Sequence, residues 1–340
     1  MSASTIIDVH THVVPEEFPP YIGHRLGARW PSMAPAHACH QHVMLNGRVY
    51  RTVSHQCWDC AVRLADMEAM QVGRQVLSPM PELLSYWLDG DDAQVLARYL
   101  NEQIAAMVQR APERFSGLGT VPLQDVDRAI AELDHAVHGL GLAGVEIGSN
   151  IDGVALGDAR LLPFFQAAER WGVAVFVHAL RPAGMERLVG PPILEQVLAF
   201  PGEVGLAAAS LLTGGTLQAC PRLRIAFSHG GGTLAMLLPR LQFGWETFPA
   251  LRERMAVPPV EAARFIYVDD LVYDATAIEH LVRTFGATQV MVGSDYPFAI
   301  MDRHPAERLG ALPFDGPTRR RLSQENAEHW LGLRAARTEG

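Results

Sequence analysis

Several apolar runs in this chain end on side chains that can bind a metal ion or move a proton. The first closes with Asp8-Val9-His10-Thr11-His12. Side chains alternate along a strand, so His10 and His12 share one face, and Asp8 shares it with them. Ala174-Val175-Phe176-Val177-His178 ends on a histidine, Ile225-Ala226-Phe227-Ser228-His229 on another, and Val290-Met291-Val292-Gly293-Ser294-Asp295 on an aspartate. A polar side chain capping a buried strand is costly unless it is paired or used. An HxH pair alone suits two internally satisfied histidines as well as a metal site. Several such ends converging change that balance. Three of these histidines with the carboxylate make an N/O donor set for one divalent ion, zinc first, with manganese or iron also accommodated, and leave a position for water. Bound zinc lowers the pKa of water to about 7, and a histidine titrating nearby can move the proton.

The elements that must position these residues alternate throughout. Candidate strands are Thr5–His10, Arg74–Ser78, Phe115–Val121, Gly144–Gly148, Ala174–His178, Arg224–Ser228, Phe265–Val268 and Gln289–Gly293. Helical patterns lie between them at Asp91–Arg110, Asp125–His138, Ala159–Trp171, Gly190–Phe200, Gly232–Phe248 and Ala275–Phe285. Alternation of this kind means parallel strands with right-handed crossovers. Eight strands point to an α/β fold of the (β/α)8 TIM-barrel type, with a doubly wound open sheet as the alternative. In a barrel, the strand ends named above would meet at the mouth where active sites gather. A single domain is expected over residues 1–335. Residues 14–56 break the rhythm and read as a small β-hairpin insertion after strand 1, covering the mouth. Within it, Asn46-Gly47 suits a type I′ turn between Val43 and Tyr50. The residues from about Arg337 onward are expected to fray.

Composition excludes several classes. The formal net charge is −9 with no basic run, which argues against nucleic acid as the partner but not against a small carboxylate substrate. Every positive side chain of the Lys/Arg type is arginine. Without lysine there is no Schiff base and no carboxylated lysine to bridge two metals, which favours one ion. No uninterrupted apolar run reaches the roughly 20 residues of a membrane span, and the N-terminus lacks a signal-peptide pattern. The expectation is a cytoplasmic protein with no membrane partner. Cys57-Trp58-Asp59-Cys60 has CxxC spacing downstream of His37, Cys39, His40 and His42. A structural zinc site is one reading and an unpaired cluster the other; a lone CxxC favours the second.

Taken together, Asp8-Val9-His10-Thr11-His12, Val177-His178, Ser228-His229-Gly230-Gly231-Gly232 and Met291-Val292-Gly293-Ser294-Asp295-Tyr296-Pro297-Phe298 resemble the amidohydrolase superfamily. More narrowly they resemble its decarboxylase branch, the branch of the 2-amino-3-carboxymuconate 6-semialdehyde decarboxylases. The likeness runs from about Ile6 to Leu333 and includes Trp58-Asp59, Val121-Pro122-Leu123-Gln124-Asp125 and Gln324-Glu325-Asn326-Ala327. It implies that His10, His12, His178 and Asp295 are the metal ligands, with Asp295 counted among the catalytic residues, and that His229 is the acid/base handling metal-bound water. It implies that Arg51 binds the substrate carboxylate and that Arg240 does so across a homodimer interface. The implied activity is metal-dependent, non-oxidative decarboxylation of a small unsaturated or aromatic acid, hydroxybenzoate-like or aminocarboxymuconate-like. The alternative is a mononuclear hydrolase of an amide or lactone.

Each assignment has a plainer rival. His229 is either the acid/base, a fifth ligand or a residue behind the ligands. Arg51 and Arg240 are either substrate contacts or solvated surface charges. Trp58 either stacks on a planar substrate or packs in the core. Asp8 reads as a partner of a ligand rather than a ligand. One departure from the branch bears on the substrate. After the fifth-strand histidine the branch continues Pro-Trp-Asp, whereas here the order is His178-Ala179-Leu180-Arg181-Pro182. An aromatic wall is replaced, and Arg181 is expected to contact an extra carboxylate or hydroxyl.

Overall fold

The computed structural model describes residues 6–25 and 27–333. Thr5, the expected ends of the domain at 1 and 335, and the segment from Arg337 lie outside the described residues. Eight strands follow one another around a single sheet in chain order: β1 (Ile6–Val13), β2 (Val72–Pro79), β3 (Phe115–Gly119), β4 (Gly144–Gly148), β5 (Ala174–His178), β6 (Arg224–Phe227), β7 (Tyr267–Asp269) and β8 (Val290–Met291). Every neighbouring pair is parallel. Backbone bonds close the ring between β1 and the chain after β8: Val9 N–H donates to Val292 O at 2.9 Å, Asp295 N–H to His10 O at 2.8 Å and His12 N–H to Tyr296 O at 2.7 Å. The expected (β/α)8 barrel is the observed fold.

The apolar strand sequences follow from burial on both faces. Alternate residues of β5 fall in different apolar clusters. Ala174 and Phe176 join Val76, Leu118, Met291 and Trp330 in the barrel interior. Val175 and Val177 join helix residues such as Phe164, Leu211 and Phe285 between barrel and helices. At Gly144 a Cβ would lie 1.8 Å from Ala174 O, so only glycine lets β4 approach β5 this closely.

β4 and β5 have the expected limits, whereas β1 and β2 run longer and β8 is shorter. The helices Gly90–Arg110 and Ala275–Phe285 also fall where the periodicity puts them. The expected helix Gly190–Phe200 does not. Gly190, Pro191 and Pro192 interrupt it, and the α-helix runs from Phe200 to Gly214 with Pro201 in its first turn. The full helical stretch Glu195–Gly214 is 20 residues long with a mean hydropathy of 1.4, sufficient by length and composition to cross a membrane. Glu195 opens it and Glu203 interrupts it, so it is not an unbroken apolar run. Here its Val204, Ala207, Ala208 and Leu211 are buried in the layer around the barrel.

Between β1 and β2 lies a three-stranded antiparallel sheet (Pro31–Pro35, His40–Leu45, Arg48–Ser54), larger than the single expected hairpin. Asn46 and Gly47 have φ of 52° and 71°, both left-handed as a type I′ turn requires. Val43 and Val53 pack with Val14, Met80, Leu83 and Phe298, which seats this sheet against the segments following β2 and β8. Asp59 caps the helix Cys60–Met70 by accepting from Ala61 N–H and Val62 N–H. The CxxC cysteines flank that cap; both are buried, while Cys39 is exposed, and all are free.

Candidate metal centre

β1 supplies His10 and His12, β5 supplies His178, and the turn after β8 supplies Asp295. One donor atom from each lies within 4.8 Å of all the others, and all four residues are buried. No other such group of His, Cys, Asp or Glu occurs among the described residues. Each histidine has an acceptor at Nδ1: Asp269 Oδ2 at 2.7 Å for His10, Pro79 O at 3.3 Å for His12 and Ala179 O at 2.9 Å for His178. Those acceptors assign the proton to Nδ1 and leave the Nε2 lone pairs for the cluster. His10 Nε2 and His12 Nε2 are 3.2 Å apart, and Asp295 Oδ1 is 3.1 Å from His12 Nε2. His178 Nε2 and Asp295 Oδ1 are buried without a hydrogen-bond partner. Converging lone pairs repel one another, and a divalent cation among them offsets both the repulsion and the burial cost. The donor set therefore fits a single divalent ion.

The charges within the cluster agree. Burial, with the neighbouring histidines, holds His178 well below the ordinary imidazole range, so it is neutral. Burial also pulls His10 down, but the Asp269 bond and the charges of Asp295, Asp269 and Glu146 outweigh it and raise the group to about 9. A metal would take the place of that second proton. Burial pushes Asp295 up, yet the adjacent His12 and the charges of His10, His12 and His229 bring it to about 2.

His229 stands beside this group rather than in it, with ring centroids 5.1 Å from His178 and 5.3 Å from His10. Ser228 Oγ is 3.1 Å from its Nδ1. Burial and the neighbouring His10 lower its pKa to about 4. Both His229 (φ 54°) and Asp295 (φ 63°) have left-handed backbones, which non-glycine residues rarely adopt outside turns and functional sites.

Behind the ligands lies a layer that sequence reading largely missed. Asp269 ends β7 and accepts from His10 Nδ1–H, from the backbone N–H of His229 (3.0 Å) and Gly230 (2.8 Å), and from Leu271 N–H (3.1 Å). It obeys the same rule as the other polar strand ends, but the expected strand stopped one residue short, at Val268. Glu146, on β4, is fully buried with Oε2 4.0 Å from His12 Nδ1, and burial raises its pKa to about 8. Asp8 is indeed not in the cluster. Its Oδ1 accepts from His10 N–H and Ser294 N–H, and its Oδ2 from the Ser294 hydroxyl, which ties β1 to the residue before Asp295.

A cavity of about 330 Å³ adjoins the cluster, lined by apolar residues such as Met80, Phe200 and Leu271 together with His178, His229 and Asp295. Arg51 reaches it from the insertion, its Cζ 4.4 Å from the centre of the Phe298 ring, which stacks on His12. The other proposed substrate contacts do not meet there. Trp58 packs in the apolar cluster beneath the insertion. Arg181 lines a neighbouring cleft, with Cζ 3.8 Å from the centre of the Trp87 ring and Nη2 3.7 Å from Glu82 Oε1. Arg240 is exposed on the helix Leu234–Thr247 and does not line its own chain's cavity.

Residues 7–333 match the model of a family described as amidohydrolase. The chain is 35% identical, over 333 residues, to a 2-amino-3-carboxymuconate-6-semialdehyde decarboxylase from Dictyostelium discoideum, an alignment covering 96% of this chain and 91% of that one. Among solved structures it is similar to 5-carboxyvanillate decarboxylase from Novosphingobium aromaticivorans, complexed with manganese and 4-hydroxy-3-methoxy-5-nitrobenzoic acid (27% identity, TM-score 0.74, 82% of each chain). It also shares its fold with the apo form of Metarhizium anisopliae IDCase (20% identity, TM-score 0.83, 98% of each chain).

Replacing Asp269 by Asn removes the charge that orients His10 and makes it basic. Affinity for zinc or manganese, measured by competition with a chromogenic chelator, is expected to fall by roughly 10- to 100-fold. Affinity within a factor of about three of the parent would show that Asp269 does not support the ligand.

Proposed function

This chain belongs to the amidohydrolase family, in its decarboxylase branch, and from that premise we propose that it is a divalent-metal-dependent, non-oxidative decarboxylase of a small unsaturated or aromatic carboxylic acid. The observation that carries the reading is that a cluster of four convergent donors opens, through His178 and Asp295, on a largely apolar cavity that a separate histidine and an arginine also line. His10, His12, His178 and Asp295 would hold the ion. Three imidazole nitrogens and one carboxylate suit zinc, while manganese, present in the carboxyvanillate relative, is the rival. When bound, the ion supplies a Lewis acid that fixes and polarises substrate oxygen.

The protein's own residues perform the rest. Arg51 makes no ion pair among the described residues, so its planar fork is available to a carboxylate, and its seat on Phe298 limits its swing. His229, with Nδ1 beside Ser228 Oγ, has Nε2 for proton exchange. An enclosed anionic substrate favours its protonated form, opposing the burial that depresses its pKa. The proton passes to the carbon bearing the carboxylate. The carbon–carboxylate bond then breaks, its electron pair restores the conjugated system, and CO2 leaves. Apolar walls exclude water and keep these charges effective. Because Arg51 comes from the insertion, we assign residues 14–56 the role of covering the cavity.

The test is CO2 release, by mass spectrometry, from metal-quantified protein given carboxymuconate semialdehydes and hydroxybenzoic acids. Release that ends on chelation and falls about 100-fold or more in His229→Gln is expected. No CO2 from any acid, with one ion bound per chain, would contradict the reading and favour the hydrolase.

We further propose a homodimer in which Arg240 completes the neighbouring site. The support is an exposed apolar face around it. Met236, Leu237 and Phe243 on its own helix are exposed, as are Ile193, Leu198 and Leu206 on the adjacent stretch. Val197, half-exposed there, also lines the cavity. Mixing inactive Arg240→Ala with inactive His178→Ala subunits should restore about a quarter of parental activity, because half of random dimers carry one complete site. An active Arg240→Ala, or no recovery on mixing, would contradict this arrangement.

A further inference from the structure

The cavity also holds a charge opposite to that of Arg51. Glu82, in the helical turn Pro81–Leu84 after β2, is the one carboxylate lining it outside the donor cluster among the described residues. Its side chain is 11% exposed, and its Oε1 lies 3.7 Å from Arg29 Nη2 and 3.7 Å from Arg181 Nη2. Both distances exceed an ordinary hydrogen bond. The guanidiniums rest on Trp87, with Cζ 4.6 Å (Arg29) and 3.8 Å (Arg181) from its ring centre, and neither lines the cavity. Arg29 comes from the insertion and Arg181 from the loop after β5, where its backbone is left-handed (φ 45°).

A carboxylate has about four acceptor positions, and two guanidiniums at 3.7 Å occupy only part of them. Burial holds the pKa of this carboxyl above the usual carboxylate range, and the charges of Arg181 and Arg29 only partly oppose it. The acceptor capacity that remains belongs to a residue that lines the cavity, whereas the two guanidiniums do not.

We propose that Glu82 accepts a hydrogen bond from an amino or hydroxyl group of the substrate, while Arg51 holds the substrate's carboxylate. This deepens the decarboxylase reading and rests on it for that carboxylate. It assigns to Glu82 the discrimination between acids that carry such a donor and acids that do not. Arg181 then acts through Glu82 as a positioning residue, instead of touching substrate as its place in the sequence suggested. A second substrate carboxylate at this point would meet the like charge of Glu82 before it met either guanidinium.

The test uses the metal-loaded full chain and pairs of aromatic acids that differ at one ring position, hydroxy against methoxy and amino against dimethylamino. Dissociation constants come from calorimetry, and CO2 release is followed in parallel. For at least one position the donor-bearing acid should bind about 10- to 100-fold more tightly to the parent, a ratio reduced below about threefold in Glu82→Leu. Glu82→Gln keeps the volume and removes the charge, so its ratio should fall between. Arg181→Met should lower the ratio in the parent background and not in Glu82→Leu. No preference in any pair, or an equal preference in the parent and both Glu82 variants, overturns the proposal. A donor preference that depends on Glu82, with no CO2 from any acid, overturns the decarboxylase reading alone.

Discussion

One buried carboxylate organises the site. Asp269 accepts a hydrogen bond from His10 Nδ1–H and, with the same two oxygens, from the backbone N–H groups of His229, Gly230 and Leu271. Burial alone would make it neutral, and His10 together with those N–H groups brings its pKa below the ordinary carboxyl value instead. It therefore remains an anion, and one anion fixes the orientation of a ligand histidine and the backbone of the neighbouring histidine at once. The left-handed turn at His229 persists because this carboxylate and the glycines after it define the chain path.

The other contacts keep the two ends of the barrel seam in register with that anchor. Asp8 bridges His10 N–H and Ser294. Arg63, fully buried, donates to His12 O, Gln75 Oε1 and Thr11 Oγ1 and lies over the Tyr296 ring. It thereby clips β1, β2 and the segment after β8 together. Donors from β1, β5 and the turn after β8 can meet at one point only if these segments do not slide, and the buried polar clips supply that constraint. The proposed substrate contacts lie further out, on the insertion and on the loop after β2, where the opposed charges of Arg51 and Glu82 line one cavity.

Much of the ligand cluster was legible in the sequence because a barrel presents its strand ends to one place. A polar residue ending an apolar run is a strong signal when four such runs share an end. Asp269 obeys the same rule, but the expected strand ends at Val268, one residue before it, whereas the observed strand includes it. The helix Phe200–Gly214 was displaced in the reading because it is apolar on its exposed side as well, as at Leu206, so no amphipathic period marks it. Arg181 and Trp58 show a different limit. Sequence places them near the metal motifs, but side-chain direction is set by packing partners that no motif reveals, Trp87 for Arg181 and the apolar cluster beneath the insertion for Trp58. Glu82 carried no motif at all; only its cavity-facing position and its two arginine neighbours identify it.

The most direct test of the account is the position of the ion. Crystals grown with zinc should give, at the zinc absorption edge, one anomalous peak per chain, about 2.0–2.2 Å from the Nε2 atoms of His10, His12 and His178 and from Asp295 Oδ1. A chain without a peak, or with its ion held by other residues, would contradict the proposed centre and the chemistry built on it.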